Sequence, residues 1–227
     1  MKRLLVNGSP RGRESNSRLL LSWIAEGMAS AGVAGEIETI DLARANDLQA
    51  QREAFLAADE VVTVMPLYTD SMPALVKRFI DSFADAPRAR LSGKRVAFVV
   101  QSGFPESKQG GTLAAYLARL SARCGWTHLG TVVKGGIEGI RIMPPLMTNK
   151  TRDLFRSVGA SVVRDGRVDP AVIRAAARPY TLSPLARFFF RLLAPTGLTN
   201  MYWHMNMKKH GAYERRFDAP YGAPFKG

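Results

Sequence analysis

Lys2-Arg3-Leu4-Leu5-Val6-Asn7 runs directly into Gly8-Ser9-Pro10-Arg11-Gly12-Arg13-Glu14-Ser15-Asn16-Ser17. A short apolar run stopped by Gly-Ser-Pro reads as a buried strand ending in a loop. Ser15-Asn16-Ser17 then supplies helix-cap chemistry. Leu19, Leu20, Trp23, Ile24, Gly27 and Met28 follow at helical spacing, with Arg18, Ser22 and Glu26 on the other side. The loop between strand and helix holds hydroxyls, an amide, two arginines and the free N–H groups of a helix start. That combination suits a phosphate-sized anion. There is no Gly-Lys-Ser/Thr, so it is not a nucleoside-triphosphate loop, and its glycine spacing does not fit the dinucleotide fingerprint.

The same alternation continues outward. Strands are predicted at 36–40, 60–65, 94–100 and 128–133, and helices at 48–58, 74–83, 112–123, 148–165 and 170–177. Pro73 sits at the first turn of the 74–83 helix. The stronger strands are continuous apolar runs, which predicts an α/β, doubly wound, five-stranded parallel sheet covered on both faces. Glu36-Ile37-Glu38-Thr39-Ile40 alternates instead, as an edge or half-exposed strand does. Such sheets bind ligands at the carboxyl ends of their strands. Here those ends carry Gly8-Ser9-Pro10, Pro66-Leu67-Tyr68, Gln101-Ser102-Gly103 and Gly135-Gly136, consistent with one shared crevice.

A second informative segment is Met65-Pro66-Leu67-Tyr68-Thr69-Asp70-Ser71-Met72-Pro73-Ala74-Leu75-Val76-Lys77-Arg78-Phe79-Ile80-Asp81. Its aromatic and methionine residues can flank a flat ring or simply pack on the core. Taken together, the two segments resemble the flavodoxin-like NAD(P)H-dependent FMN reductase and quinone reductase group over roughly residues 1–165. The resemblance implies a flavodoxin-like fold and an FMN cofactor. It places the FMN phosphate on Ser9, Arg11, Ser15, Asn16 and Ser17, and the isoalloxazine ring against Pro66, Leu67, Tyr68 and Thr69. Gln101, Ser102, Gly103 and Phe104 then lie along the opposite edge, and Gly135, Gly136 and Glu138 help close the pocket. The implied reaction passes hydride from NADH or NADPH through the flavin to a quinone, flavin, azo or nitro acceptor in a ping-pong cycle. Tyr68 or Phe104 serves as a wall or gate. Tyr68 and His128 are the candidate acids, with His128 read as a structural residue at a strand start. A homodimer is also implied.

The 227 residues, 46% hydrophobic and 22% charged, suffice for one sizeable core and exclude global disorder. No apolar run reaches the ~18–20 residues that span a bilayer, and the amino-terminal residues do not read as a secretory signal. One cysteine, Cys124, excludes an internal disulfide and any multi-thiolate metal site, which sets aside the iron–sulfur branch of the group. Cys124 is expected to be buried apolar filler, and the expected compartment is a reducing cytoplasm.

The net charge of +13 favours anionic partners and argues against a one-electron shuttle, since small flavodoxin carriers are typically acidic. Residues 178–227 hold eight Lys/Arg against two Asp/Glu. They are read as a basic, aromatic-rich extension beyond a flavin-binding domain of residues 1–177, resembling the carboxyl-terminal extension of one branch of the same group. Ser183-Pro184 starts a helix with Leu185, Phe188, Phe189 and Leu192 on one stripe and Arg187 and Arg191 on another face. Met201-Tyr202-Trp203-His204-Met205-Asn206-Met207-Lys208-Lys209-His210-Gly211 follows. Packing on the domain or on a twin subunit is the expected role. Nucleic acid, a membrane interface, or an arm over a neighbour's pocket are alternatives. The alternative function is a non-catalytic flavin-binding redox sensor docked through this tail.

Overall fold

In the computed structural model the first strand lies between the second and the third. The structure describes residues 1–32, 35–44, 47–219 and 222. Strands β1 (Arg3–Asn7), β2 (Ile37–Asp41), β3 (Glu60–Pro66), β4 (Arg95–Gln101) and β5 (Thr127–Lys134) form one sheet in the order β2-β1-β3-β4-β5. Every neighbouring pair is parallel. The order reverses at β1, so the loops leaving β1 and β3 diverge to opposite faces and leave a crevice between them. The predicted parallel, doubly wound sheet is therefore what the chain forms.

Alternation along each strand sends side chains to two separate cores. Leu4, Val6, Val61, Met65, Val96, Phe98 and Val100 face α2 (Leu48–Ala57), α3 (Ala74–Asp81), α4 (Arg88–Leu91) and α5 (Gly111–Arg123). Leu5, Val62, Val64, Ala97, Val99 and Val132 face α1 (Asn16–Ser30), α6 (Pro145–Asp165) and α7 (Pro170–Ala176). All positions of β1 and β3 are buried, whereas β2 is partly exposed at four of five, as its alternating sequence and edge position require.

Three details depart from the sequence reading. Pro66 is the last residue of β3 rather than the stop beyond it, a position where its missing N–H matters least. Helix α6 begins at Pro145, three residues early, with proline at its first turn. Cys124, the residue after α5, is only partly buried against the core, and burial pushes its thiol up. The four-residue α4 is too short to leave a periodic signal.

Helices α1 and α6 touch backbone to backbone. A Cβ at Gly27 would stand 1.9 Å from the Arg156 oxygen, and one at Gly159 would stand 2.0 Å from the Ile24 oxygen. At the amino end of the sheet, Arg3, Glu60 and Arg95 are register partners on three adjacent strands. Glu60, 1% exposed, accepts from Arg3 Nε at 2.9 Å and from Arg95 Nε at 3.1 Å. Arg95 Nη2 also donates to the Gly166 oxygen at 2.8 Å. A buried carboxylate is tolerable only when paired in this way.

The chain divides into two compact units, Met1–Thr181 and Leu182–Gly227. The second holds α8 (Pro184–Leu193) and α9 (Met201–Lys209), joined by two short 3-10 turns. Ser183 caps α8, its Oγ accepting from the Ala186 N–H at 3.1 Å, with Pro184 at the first position. Helix α9 arises from the methionine- and aromatic-rich segment, for which no secondary structure was expected.

Candidate functional site

The loop after β1 is organised by Asn7, the last residue of that strand. Its Nδ2 donates to the Asp41 Oδ1 at 2.7 Å and the Gly12 oxygen at 2.8 Å, while its Oδ1 accepts from the Ser9 N–H at 3.1 Å. Asp41 ends β2, so the pairing of β1 with β2 sets the shape of the loop. Ser15 is the helix cap. Its Oγ accepts from the Arg18 N–H at 3.1 Å and donates to the Gly12 oxygen at 2.6 Å. The Asn16 side chain donates to the Ile137 oxygen at 3.1 Å. Ser17 is fully buried, its Oγ 3.5 Å from the Gln101 Nε2. Among the described residues, the N–H groups of Asn16 and Ser17 have no acceptor, as the first turn of a helix dictates.

Four arginines surround this loop. Arg13 and Arg18 approach the buried Asp41 carboxylate at 3.8 and 3.6 Å. Arg141 donates to Glu14 at 2.7 Å and to the Ser15 oxygen at 3.3 Å. Arg11, the most relevant of the four, extends to within 3.7 Å of Glu138.

The loop after β3 is fixed by the Leu67 N–H, which donates to the Gln101 oxygen at 2.8 Å. Tyr68 and Ser71 then exchange two backbone hydrogen bonds around Thr69 and Asp70, whose φ values are 49° and 58°. Both central residues being left-handed makes this a mirror-image tight turn. A β-branched threonine there is strained. The turn holds Tyr68 at the rim, exposed.

The loops after β4 and β5 brace each other. The Ser102 N–H donates to the Lys134 oxygen at 3.1 Å and the Ile137 N–H to the Ser102 oxygen at 2.9 Å. The Gly136 N–H donates to the Phe104 oxygen at 2.7 Å, and the Gly135 N–H to the Ser107 Oγ at 3.0 Å. A Cβ at Gly135 would lie 2.6 Å from the Phe104 oxygen, so glycine is what lets the two loops meet.

These loops line a partly open cavity of about 80 Å³, formed by Ser9, Arg11, Asn16, Pro66, Leu67, Tyr68, Gln101, Ser102, Gly103 and Glu138. Thus residues expected from four strand ends meet in one place. Ser15, Ser17, Thr69, Phe104, Gly135 and Gly136 do not line it. Ser15 caps the helix, Ser17 lies beneath Gln101, Thr69 forms the turn, and the two glycines hold the Phe104 loop. His128 is at the amino end of β5, away from the rim, with its Nε2 2.9 Å from the Thr131 Oγ1. Burial lowers its pKa. Asn7, Asp41 and Arg141 were not singled out from the sequence. An asparagine closing an apolar strand and an acid closing the next were the signals available.

One end of the cavity thus offers unpaired helix N–H groups, a buried hydroxyl and an arginine, which suit a dianion. The other end offers proline, leucine and tyrosine walls with an amide and a hydroxyl opposite, which suit a flat ring with polar edges. No cluster of side chains that could hold a metal ion occurs among the described residues.

Residues 1–153 match the family described as having the flavodoxin-like fold, and the chain belongs to that family. It is 25% identical to the FMN-dependent NADH:quinone oxidoreductase of Bordetella bronchiseptica, over 60% of this chain and 85% of that protein. Among solved structures it is similar to the NAD(P)H:quinone oxidoreductase from Methanothermobacter marburgensis, with a TM-score of 0.57 and 17% identity over 71% of this chain and 96% of the other. It is also similar to an FMN-dependent NADH-azoreductase from Bacillus anthracis in complex with FMN, with a TM-score of 0.54 and 14% identity over 72% of this chain and all of the other. At these identities the solved structures speak for the fold.

Proposed function

We propose that the chain is an FMN-dependent NAD(P)H oxidoreductase acting on a quinone, with free flavin, azo and nitro compounds as further acceptors. The single observation that carries the reading is the shared cavity, with anion-holding groups at one end and ring-holding groups at the other. The Bordetella relative, by its name, carries out FMN-dependent NADH:quinone oxidoreduction. FMN, when bound, supplies the relay that accepts hydride and passes it on.

The work left to the protein is binding and positioning. Ser9, Arg11 and the N–H groups of Asn16 and Ser17 hold the phosphate, while Ser15 keeps those N–H groups in place by capping the helix. Pro66, Leu67 and Tyr68 wall the ring, and Gln101, Ser102 and Gly103 present polar groups to its edge. Tyr68 and Phe104, both exposed, flank the entry by which nicotinamide and acceptor alternate. Tyr68 carries the phenol among the lining residues and is the candidate proton donor. Thr69, Gly135 and Gly136 act behind the lining by shaping its loops. A cytoplasmic setting and a homodimer belong to the same reading.

An absorption spectrum of the purified protein, followed by anaerobic titration with NADH and with NADPH, tests the reading. The expected result is a flavin spectrum that bleaches with at least one donor and returns on adding a simple benzoquinone. A protein that neither carries nor takes up FMN overturns it.

A further inference from the structure

The second unit presents large apolar side chains to the outside. Leu185, Phe188, Phe189 and Leu192 fall on one side of α8, and each is between 50% and 66% exposed. No residue of α8 or α9 is buried. A contiguous apolar patch of this kind marks a partner.

Charge indicates which partner. From Leu182 to Tyr213 the sequence contains no Asp or Glu. Arg187, Arg191, Lys208 and Lys209 have no carboxylate partner among the described residues, whereas Arg52, Arg90 and Arg152 of the first unit pair with Asp85, Glu53 and Glu26. The partner must therefore bring anionic groups and an apolar layer together. A second copy could offer its own apolar face but not the anionic groups: it repeats the cationic face on a chain of net charge +13. Nucleic acid has the charge, but no apolar layer to receive a helix face of phenylalanine and leucine.

We propose that α8, supported by the lysines of α9, docks this chain on the surface of an anionic phospholipid bilayer. The helix lies in the plane of the interface. Phe188, Phe189, Leu185 and Leu192 enter the acyl boundary, and Arg187 and Arg191 extend their long stems to the lipid phosphates. At ten residues α8 is about 15 Å long, against a hydrocarbon core of about 30 Å, so it lies on the bilayer without crossing it. No helix among the described residues is long and apolar enough to cross. Docking brings the chain to the phase in which apolar quinones dissolve. That consequence rests on the reductase reading; the docking itself does not.

The test is flotation of the full chain with vesicles of phosphatidylcholine alone and of phosphatidylcholine and phosphatidylglycerol in equal parts, with flavin content measured in the same fractions. The expected result is binding to the anionic vesicles only, weakened by salt. Phe188→Glu with Phe189→Glu, and separately Arg187→Glu with Arg191→Glu, lower the bound fraction about tenfold or more, with flavin content unchanged. Failure to bind anionic vesicles overturns the proposal, as does equal binding to phosphatidylcholine alone. It is overturned as well if the parent sediments as a dimer that the phenylalanine substitutions split, or if it binds duplex DNA in a way only the arginine substitutions abolish. A colourless chain that still floats would count against the reductase reading alone.

Discussion

The Asn16 side-chain amide donates to the Ile137 carbonyl oxygen across 121 residues of sequence, at 3.1 Å and in a buried setting. One bond thus joins the start of α1 to the segment that follows β5. Replacing Asn16 with leucine removes that bond and leaves the carbonyl with only the Ile140 N–H at 3.2 Å, at a cost of about 1 kcal/mol, and lowers the melting temperature by roughly 3 °C. FMN affinity falls with it, because the two sides of the cavity lose their tie. Calorimetry and flavin fluorescence titration check both effects, and an unchanged melting temperature refutes the first.

Arg11 acts through charge at the cavity mouth. Arg11→Glu removes a donor and sets a second carboxylate beside Glu138. FMN binding is expected to weaken by about tenfold or more, while riboflavin, which lacks the phosphate, is little affected. Equal losses for both ligands would move the phosphate end away from the β1 loop.

The contact between α1 and α6 admits no extra methyl group. Gly27→Ala and Gly159→Ala each force the helices apart, with an expected loss of about 3 kcal/mol in urea unfolding. A neutral result at either position would mean the helices can separate without cost.

His128 gives the chain a particular acid response. Burial holds its imidazole below the usual 6.5, so the unfolded chain binds this proton more readily than the folded one. As pH falls from 6.5 toward the lowered folded value, stability declines, with a slope of at most about 1.4 kcal/mol per pH unit. Above pH 6.5 the histidine contributes no slope. His128→Gln is expected to flatten this limb in urea titrations run across the acid range, and an unaltered slope would assign it to other groups.

The sheet was legible because β1, β3 and β4 are continuous apolar runs, and the edge position of β2 was legible from its alternation. Cavity residues such as Ser9, Pro66 and Gln101 were legible because each directly follows or closes a strand. Helix-cap chemistry at Ser15-Asn16-Ser17 was legible as well, but not that Ser15 makes the cap while Ser17 is buried near Gln101. Hydroxyl density in a loop does not distinguish a ligand donor from a cap or a buried packing group. Asn7 and Asp41 escaped notice because their bond exists only once two strands pair. The glycine pair at 27 and 159 depends on a crossing of helices more than a hundred residues apart.

The ionic lattice of Arg3, Glu60 and Arg95 constrains how this molecule can diversify. Sliding β3 by one position would abandon a carboxylate among hydrocarbon side chains, and sliding β1 or β4 would strip it of one of its two arginines. Adaptation to a new oxidant at the opposite end must therefore proceed by exchanging individual loop side chains, since the scaffold behind them is pinned against slippage.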